Sequence, residues 1–160
     1  MTTSPSCYNL VYIKKPTANG QWLTANMMTE KQIRGALGEQ AAVDYLRQNG
    51  FMIIERNWRV GKSEIDIIAS RYDELHFVEV KTRKFGSLTD GTDAVTRSKI
   101  KNIILTTARF VDENETEFSG IRFDVAEVVI TTEAVPGVLE FNYYEDAFTA
   151  DGFDEITAWL

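Results

Sequence analysis

With 160 residues, 44% of them apolar and 26% charged, the chain has the composition of one soluble globular domain, which excludes wholesale disorder. No apolar run nears the roughly 18 residues of a membrane-spanning helix, and a single cysteine and a single histidine exclude an internal disulfide and a multi-histidine zinc site. The net charge of −7 is uneven: residues 31–110 set 14 Lys and Arg against 10 Asp and Glu, whereas residues 111–160 set Arg122 alone against 13 acids.

A cytoplasmic protein with no membrane partner is the expectation. Phosphate binding follows a local cluster of cations rather than the total charge, so the acidic average does not exclude a nucleic acid.

Along the chain, residues 1–28 read as a loose N-terminal arm, punctuated by Pro5, Pro16 and Gly20, with one short strand at Tyr8–Ile13. Thr29 and Gln32 form a capping box and Asn49-Gly50 a stop, which brackets a helix over 30–48. Strands are predicted over 51–60, 62–70 and 75–82, the last two joined by the polar turn Arg71-Tyr72-Asp73-Glu74. A loop over 85–93 leads to a helix over 96–111, in which Ile100, Ile103, Ile104, Thr107, Ala108 and Val111 recur at the helical period. Strands over 121–131 and 138–144 follow, parted by Pro136-Gly137. The order predicts an α/β domain over 29–145, with an acidic tail over 146–160 whose apolar end could dock.

The informative stretch is Glu64-Ile65-Asp66-Ile67-Ile68, then Phe77-Val78-Glu79-Val80-Lys81. Side chains alternate along a strand, so Glu64 and Asp66 share one face, as do Glu79 and Lys81. A turn at 71–74 pairs residues whose numbers sum to 145, setting Asp66 opposite Glu79 and Glu64 opposite Lys81. Two facing carboxylates about 5 Å apart repel by roughly 3 kcal/mol at an effective dielectric near 20, against about 0.2–1 kcal/mol for a favourable cross-strand pair. A shared proton, a cation such as Lys81 or a divalent metal must neutralise them, and all-oxygen ligation suits Mg²⁺ or Mn²⁺. A solvated sheet face carrying a Glu–Lys pair and an unrelated acid would show the same alternation.

Two further features bear on the choice. In the first helix Ala36, Glu39, Ala42, Val43 and Leu46 share one side, which sets an acid within an apolar face. Gly35, Ala36 and Gly38 are small enough for close approach to the sheet. Arg97, Lys99 and Lys101 crowd the first turns of the second helix, where the macrodipole disfavours cations unless a phosphate binds there. His76, Cys7 and Trp58 read as structural.

Together these segments resemble the uncharacterised bacterial YraN family of the restriction-endonuclease-like, or PD-(D/E)xK, superfamily. The resemblance runs from Gly35-Ala36-Leu37-Gly38-Glu39 through Asn57-Trp58-Arg59 and Glu64-Ile65-Asp66 to Phe77-Val78-Glu79-Val80-Lys81-Thr82-Arg83. It continues with Phe85-Gly86, Val95, Lys99 and Arg122-Phe123-Asp124-Val125, covering about residues 30–130. Ser63 stands where the family's Gly-Glu-Ile-Asp pattern has glycine.

The resemblance implies a mixed sheet flanked by helices with an α-β-β-β-α-β core, similar to archaeal Holliday-junction resolvases. It implies Asp66 and Glu79 as ligands for Mg²⁺ or Mn²⁺, Lys81 as catalytic lysine, Glu39 as a further catalytic acid and Glu64 as an accessory. The expected activity is metal-dependent DNA hydrolysis, with Arg83, Lys99 and Arg97 on phosphates. DNA is expected over RNA, and a homodimer if the substrate is branched, since a junction cut needs two sites. The alternative is a non-catalytic nucleic-acid-binding or protein-interaction module that retains the fold.

Overall fold

The computed structural model describes residues 28–87, 95–114 and 118–151. The strand predicted at 8–13, Cys7 and the apolar end at 156–160 lie outside them. Seven elements follow in order: α1 Glu30–Gln48, β1 Met52–Val60, β2 Ser63–Arg71, β3 Glu74–Lys84, α2 Arg97–Asn114, β4 Gly120–Ile130 and β5 Val138–Tyr144. The strands form one mixed sheet in the order β1-β2-β3-β4-β5. Only β3 and β4 run parallel, and α2 lies on the crossover between them, as a parallel connection requires. This is the α/β architecture expected from the sequence, with β5 added at one edge. No helix among the described residues is long and apolar enough to cross a membrane.

The predicted stop signals act as read. Thr29 Oγ1 accepts from Gln32 N–H while Gln32 Oε1 accepts from Thr29 N–H. At the other end of α1, Gly50 takes φ 80°. Phe51 N–H then reaches Leu46 O and Gly50 N–H reaches Arg47 O, the bonding of a Schellman cap.

Helix α1 covers Ile67, Ala69, Val78 and Ala126 on one face of the sheet, and α2 covers Ile65, Ile68, Leu75, Phe77 and Phe123 on the other. Trp58 packs edge-on against Phe110, with ring centroids 5.2 Å apart. The buried side of α1 is the expected one from Ala42 to Leu46 and differs from it over the first turns. Arg34, Gly38, Ala42, Val43 and Leu46 are buried, whereas Ala36 is exposed. Gly38 makes the close approach: a Cβ there would lie 1.9 Å from Thr82 Oγ1 and 3.1 Å from Thr82 Cβ.

The β2–β3 hairpin closes more tightly than predicted. Tyr72 and Asp73 both adopt positive φ, 50° and 66°, the signature of a two-residue type I′ turn, so Arg71 and Glu74 join the ladder. The register is the expected one, from Arg71↔Glu74 to Ile67↔Val78.

Under α1 a polar network ties the last three strands. His76 Nδ1 lies 2.7 Å from Asp124 Oδ2, which also accepts from the Tyr143 hydroxyl at 2.6 Å, while Oδ1 accepts from Asp146 N–H. Burial, with Asp124 beside it, pushes the Tyr143 hydroxyl pKa well up, so it stays a donor. His76 is thus structural, as expected. The chain stays on the sheet past Glu145: Ala147 N–H bonds Phe123 O, and Phe148 stacks on Phe123 at 5.3 Å.

Gly38→Ala is expected to lower stability by about 1–3 kcal/mol in urea titrations, despite alanine's helix preference of about 1 kcal/mol. Adding Thr82→Ala, which removes Oγ1 and Cγ2, should restore more than half of the loss. A Gly38→Ala protein as stable as the parent would refute the close approach.

Candidate active site

The ladder between β2 and β3 ends at Ile67↔Val78, one step short of the expected Asp66–Glu79 pair. The Val80 N–H donates instead to Asp66 Oδ2 at 2.7 Å. A strand donor that loses its backbone partner must find another acceptor, and here the acceptor is the acid itself. Asn57 falls opposite Asp66 on the other side, between the pairs Arg56↔Ile67 and Trp58↔Ile65, with a left-handed φ of 52°. Its Nδ2 donates to Glu39 Oε2 at 3.2 Å, and Arg56 stands 3.9 Å from the same oxygen. Glu39 is thereby held at the sheet by β1.

Glu79 is 6% exposed, on the face of β3 that already carries Leu75 and Phe77. Its Oε1 accepts from Lys81 Nζ at 3.0 Å, and Lys99 Nζ of α2 lies 3.1 Å from its Oε2. The second contact is an ion pair whose angle fails a hydrogen bond, since that buried oxygen has no hydrogen-bond donor. Four elements therefore converge: Glu39 from α1, Asp66 from β2, Glu79 and Lys81 from β3, and Lys99 from α2.

Glu64 does not join them. Its expected partner was Lys81, but once β2 and β3 part at Asp66 it pairs with Arg59 across β1, at 2.9 Å. Arg83 is drawn to Glu127 of β4 at 3.1 Å, and Arg97 is exposed at the first position of α2. Asn57, which the sequence reading quoted in the Asn57-Trp58-Arg59 motif, is the residue to which it gave no role at the site. Its sole signal is the side-chain type, since asparagine tolerates the left-handed region better than other non-glycine residues.

The electrostatics follow from burial. Burial first, and then the charge of Glu79 with a smaller part from Glu39, raises the Asp66 pKa to about 7, against the lowering effects of Val80 N–H and Lys99. The repulsion inferred from facing acids is thus relieved in two ways at once, by a retained proton on Asp66 and by two ammonium groups on Glu79.

The donor set fits a hard divalent cation. Both groups present carboxylate oxygens, and Glu79 Oε2 lacks a hydrogen bond. Among the described residues no three or more His, Cys, Asp or Glu side chains gather as a metal cluster. An ion held by Asp66 and Glu79 would therefore draw its other ligands from water and phosphate, as Mg²⁺ does.

A model of the uncharacterised protein family UPF0102 matches residues 38–128, a stretch holding Glu39, Asp66, Glu79, Lys81 and Lys99. A UPF0102 protein of Dictyoglomus thermophilum is 36% identical over 124 residues, 76% of this chain and 100% of that one. One of Chlorobium phaeobacteroides is 36% identical over 129 residues, 78% and 100%. One of Rhodococcus opacus is 40% identical over 114 residues, 71% and 94%.

Because folding raises the Asp66 pKa, the native state holds that proton more tightly than the unfolded chain. Stability from this group is full below about pH 4 and declines as pH rises to about 7. Asp66→Asn, whose amide oxygen can still accept from Val80, should be more stable than the parent by about 1–3 kcal/mol at pH 8. The gain should shrink toward zero at pH 4 in metal-free thermal melts. A gain independent of pH would contradict the assignment.

Proposed function

The chain belongs to the UPF0102 family, the one that its motifs resemble, and we propose that it is a Mg²⁺- or Mn²⁺-dependent endonuclease hydrolysing DNA phosphodiester bonds. The observation that carries this reading is the convergence of Asp66 and Glu79 beside two lysines, an arrangement that sheet packing would not favour. In α/β sheets ligands gather at the carboxyl ends of parallel strands. Here the C-terminal half of β3, from Glu79 at its middle, carries Glu79, Lys81 and Arg83, with Lys99 near the start of α2 alongside.

Asp66 and Glu79 would hold the ion, which when bound supplies Lewis acidity and a water of lowered pKa. Asp66 is fixed by its hydrogen bond from Val80, so one carboxylate oxygen is oriented before any ligand arrives. Lys81, on the exposed side of Glu79, donates to the attacking water or to a non-bridging phosphate oxygen as charge builds there. Lys99 neutralises a second phosphate oxygen from the other side. Glu39, oriented by Asn57, accepts a hydrogen bond from a water in the site.

The test is a cleavage screen with Mg²⁺ and Mn²⁺ on linear, flap and four-way DNA. Glu79→Gln keeps the size of the side chain while removing its charge. It should lower the rate by on the order of 10²-fold or more with an unchanged circular-dichroism spectrum. A Glu79→Gln protein that cleaves at the parental rate would reject the site. Parental protein that binds DNA with steep salt dependence but cuts none of the substrates would favour the non-catalytic reading.

A further inference from the structure

Beyond Lys81, β3 runs on to Lys84 and forms one wall of a groove against the first turns of α1. The groove has a volume of about 580 Å³ and is lined by Lys31, Arg34, Arg83 and Lys84, with Glu30 the one acid among its lining side chains. It is therefore a cationic trough that shares β3 with the candidate active site but opens on the strand's other face, toward α1. Lys84 lies about 10 Å beyond Lys81 at the strand rise, on the opposite face of β3.

The groove is organised around an anion. Arg34 is 93% buried by the exposure of its residue, 7%, and is anchored by NH1 donating to Thr131 O at 2.7 Å. That anchor aims its remaining edge outward: Nε and NH2 lie 2.8 and 2.7 Å from Glu30 Oε1. Lys84 Nζ donates to the same oxygen at 2.8 Å. A rigid guanidinium fork and an ammonium thus converge on one point at the mouth of the groove. The anion there is a carboxylate on a side chain 65% exposed. A phosphate offers the same fork a bidentate partner with more charge.

We infer that this groove takes a backbone phosphate of bound DNA, and that Glu30 is the resident anion which that phosphate displaces. The inference rests on the reading of DNA as the partner and extends it to a second contact point, on the face of β3 opposite Glu79 and Lys81. Glu30 then tunes binding: its carboxylate competes with every incoming phosphate and raises the local charge density that a chance contact must overcome.

Two substitutions of opposite expected sign test it. DNA binding is measured by fluorescence anisotropy of a labelled duplex, with Ca²⁺ replacing Mg²⁺, across a series of salt concentrations. Lys84→Gln should weaken binding by about 3- to 10-fold and reduce the log–log salt slope by about 1. Glu30→Gln should tighten binding by about 3- to 10-fold, because the competing charge is gone. A purely structural role for Glu30 predicts a lower melting temperature and no gain in affinity.

Parental affinity and slope in Lys84→Gln, or no gain in Glu30→Gln, would overturn the groove assignment. So would a groove that serves free phosphate only, seen as a phosphate-induced rise in melting temperature lost in Lys84→Gln while DNA affinity is unchanged. Parental protein with no salt-dependent DNA binding at all would instead sink the nuclease reading, along with this extension of it.

Discussion

The hydrogen bond from Val80 N–H to the Asp66 carboxylate is where the sheet becomes a site. Up to Ile67 and Val78, β2 and β3 satisfy each other's backbone groups. One residue further on, a side chain does what the neighbouring strand did. That substitution opens a gap between the strands without leaving an orphaned donor, and it fixes an acid at the gap's edge. The parting of the strands also explains why Glu64 pairs with Arg59 of β1 rather than with Lys81, while ordinary alternation sets Val80 under α1 and Glu79 toward α2. Gly38 contributes from the other side, since only a residue without Cβ lets α1 come close enough to Thr82 for the next residue, Glu39, to reach Asn57.

The acidic C-terminal third is less separate than its composition suggests. Glu127 holds Arg83, Asp146 holds Arg122 and Glu145 holds Arg71, while Asp124 is the fully buried hub of the His76–Tyr143 network. Arg71 in turn lies 4.1 Å above the Phe51 ring. Three of its acids are thus paired within the domain with arginines of β2, β3 and β4. The lysines at the site, Lys81 and Lys99, keep 28% and 35% of their side chains exposed beside Glu79, so a net charge of −7 says little about the charge met locally there.

The sequence was readable wherever one local rule governed. Caps at Thr29 and Gly50, the helical period of α2 and the Pro136-Gly137 break before β5 gave elements whose ends moved by no more than three residues, because each signal is carried by neighbours along the chain. The 145 register survived a change of turn type, since tightening the turn from four residues to two adds a pair without slipping the ladder. Legibility stopped where contacts between distant segments decide. Which residues of the first turns of α1 are buried depends on Gly38 meeting Thr82, and alanine's apolarity at position 36 could not reveal that. The Asp66–Val80 bond and the left-handed Asn57 have no periodic signature, and the network on Asp124 joins residues far apart in the chain.

Position 79 shows most directly that chemistry rather than packing shapes the end of β3. Leu75 and Phe77 precede it on the same buried face, and an apolar residue would continue that pattern. Buried ion pairs replaced by apolar groups of similar volume are often neutral or more stable by about 1–4 kcal/mol, so the fold has no need of a carboxylate there. Its presence requires Lys81 and Lys99 to converge on it and obliges Asp66 to keep a proton near neutral pH. Each of those costs falls when a divalent cation supplies the missing positive charge, because Asp66 can then ionise and the lysines are released toward other anions. Without a metal the acids of this cluster are balanced by a retained proton on Asp66 and two ammonium groups on Glu79, and it is on that balance that the proposed metal–phosphate chemistry would draw.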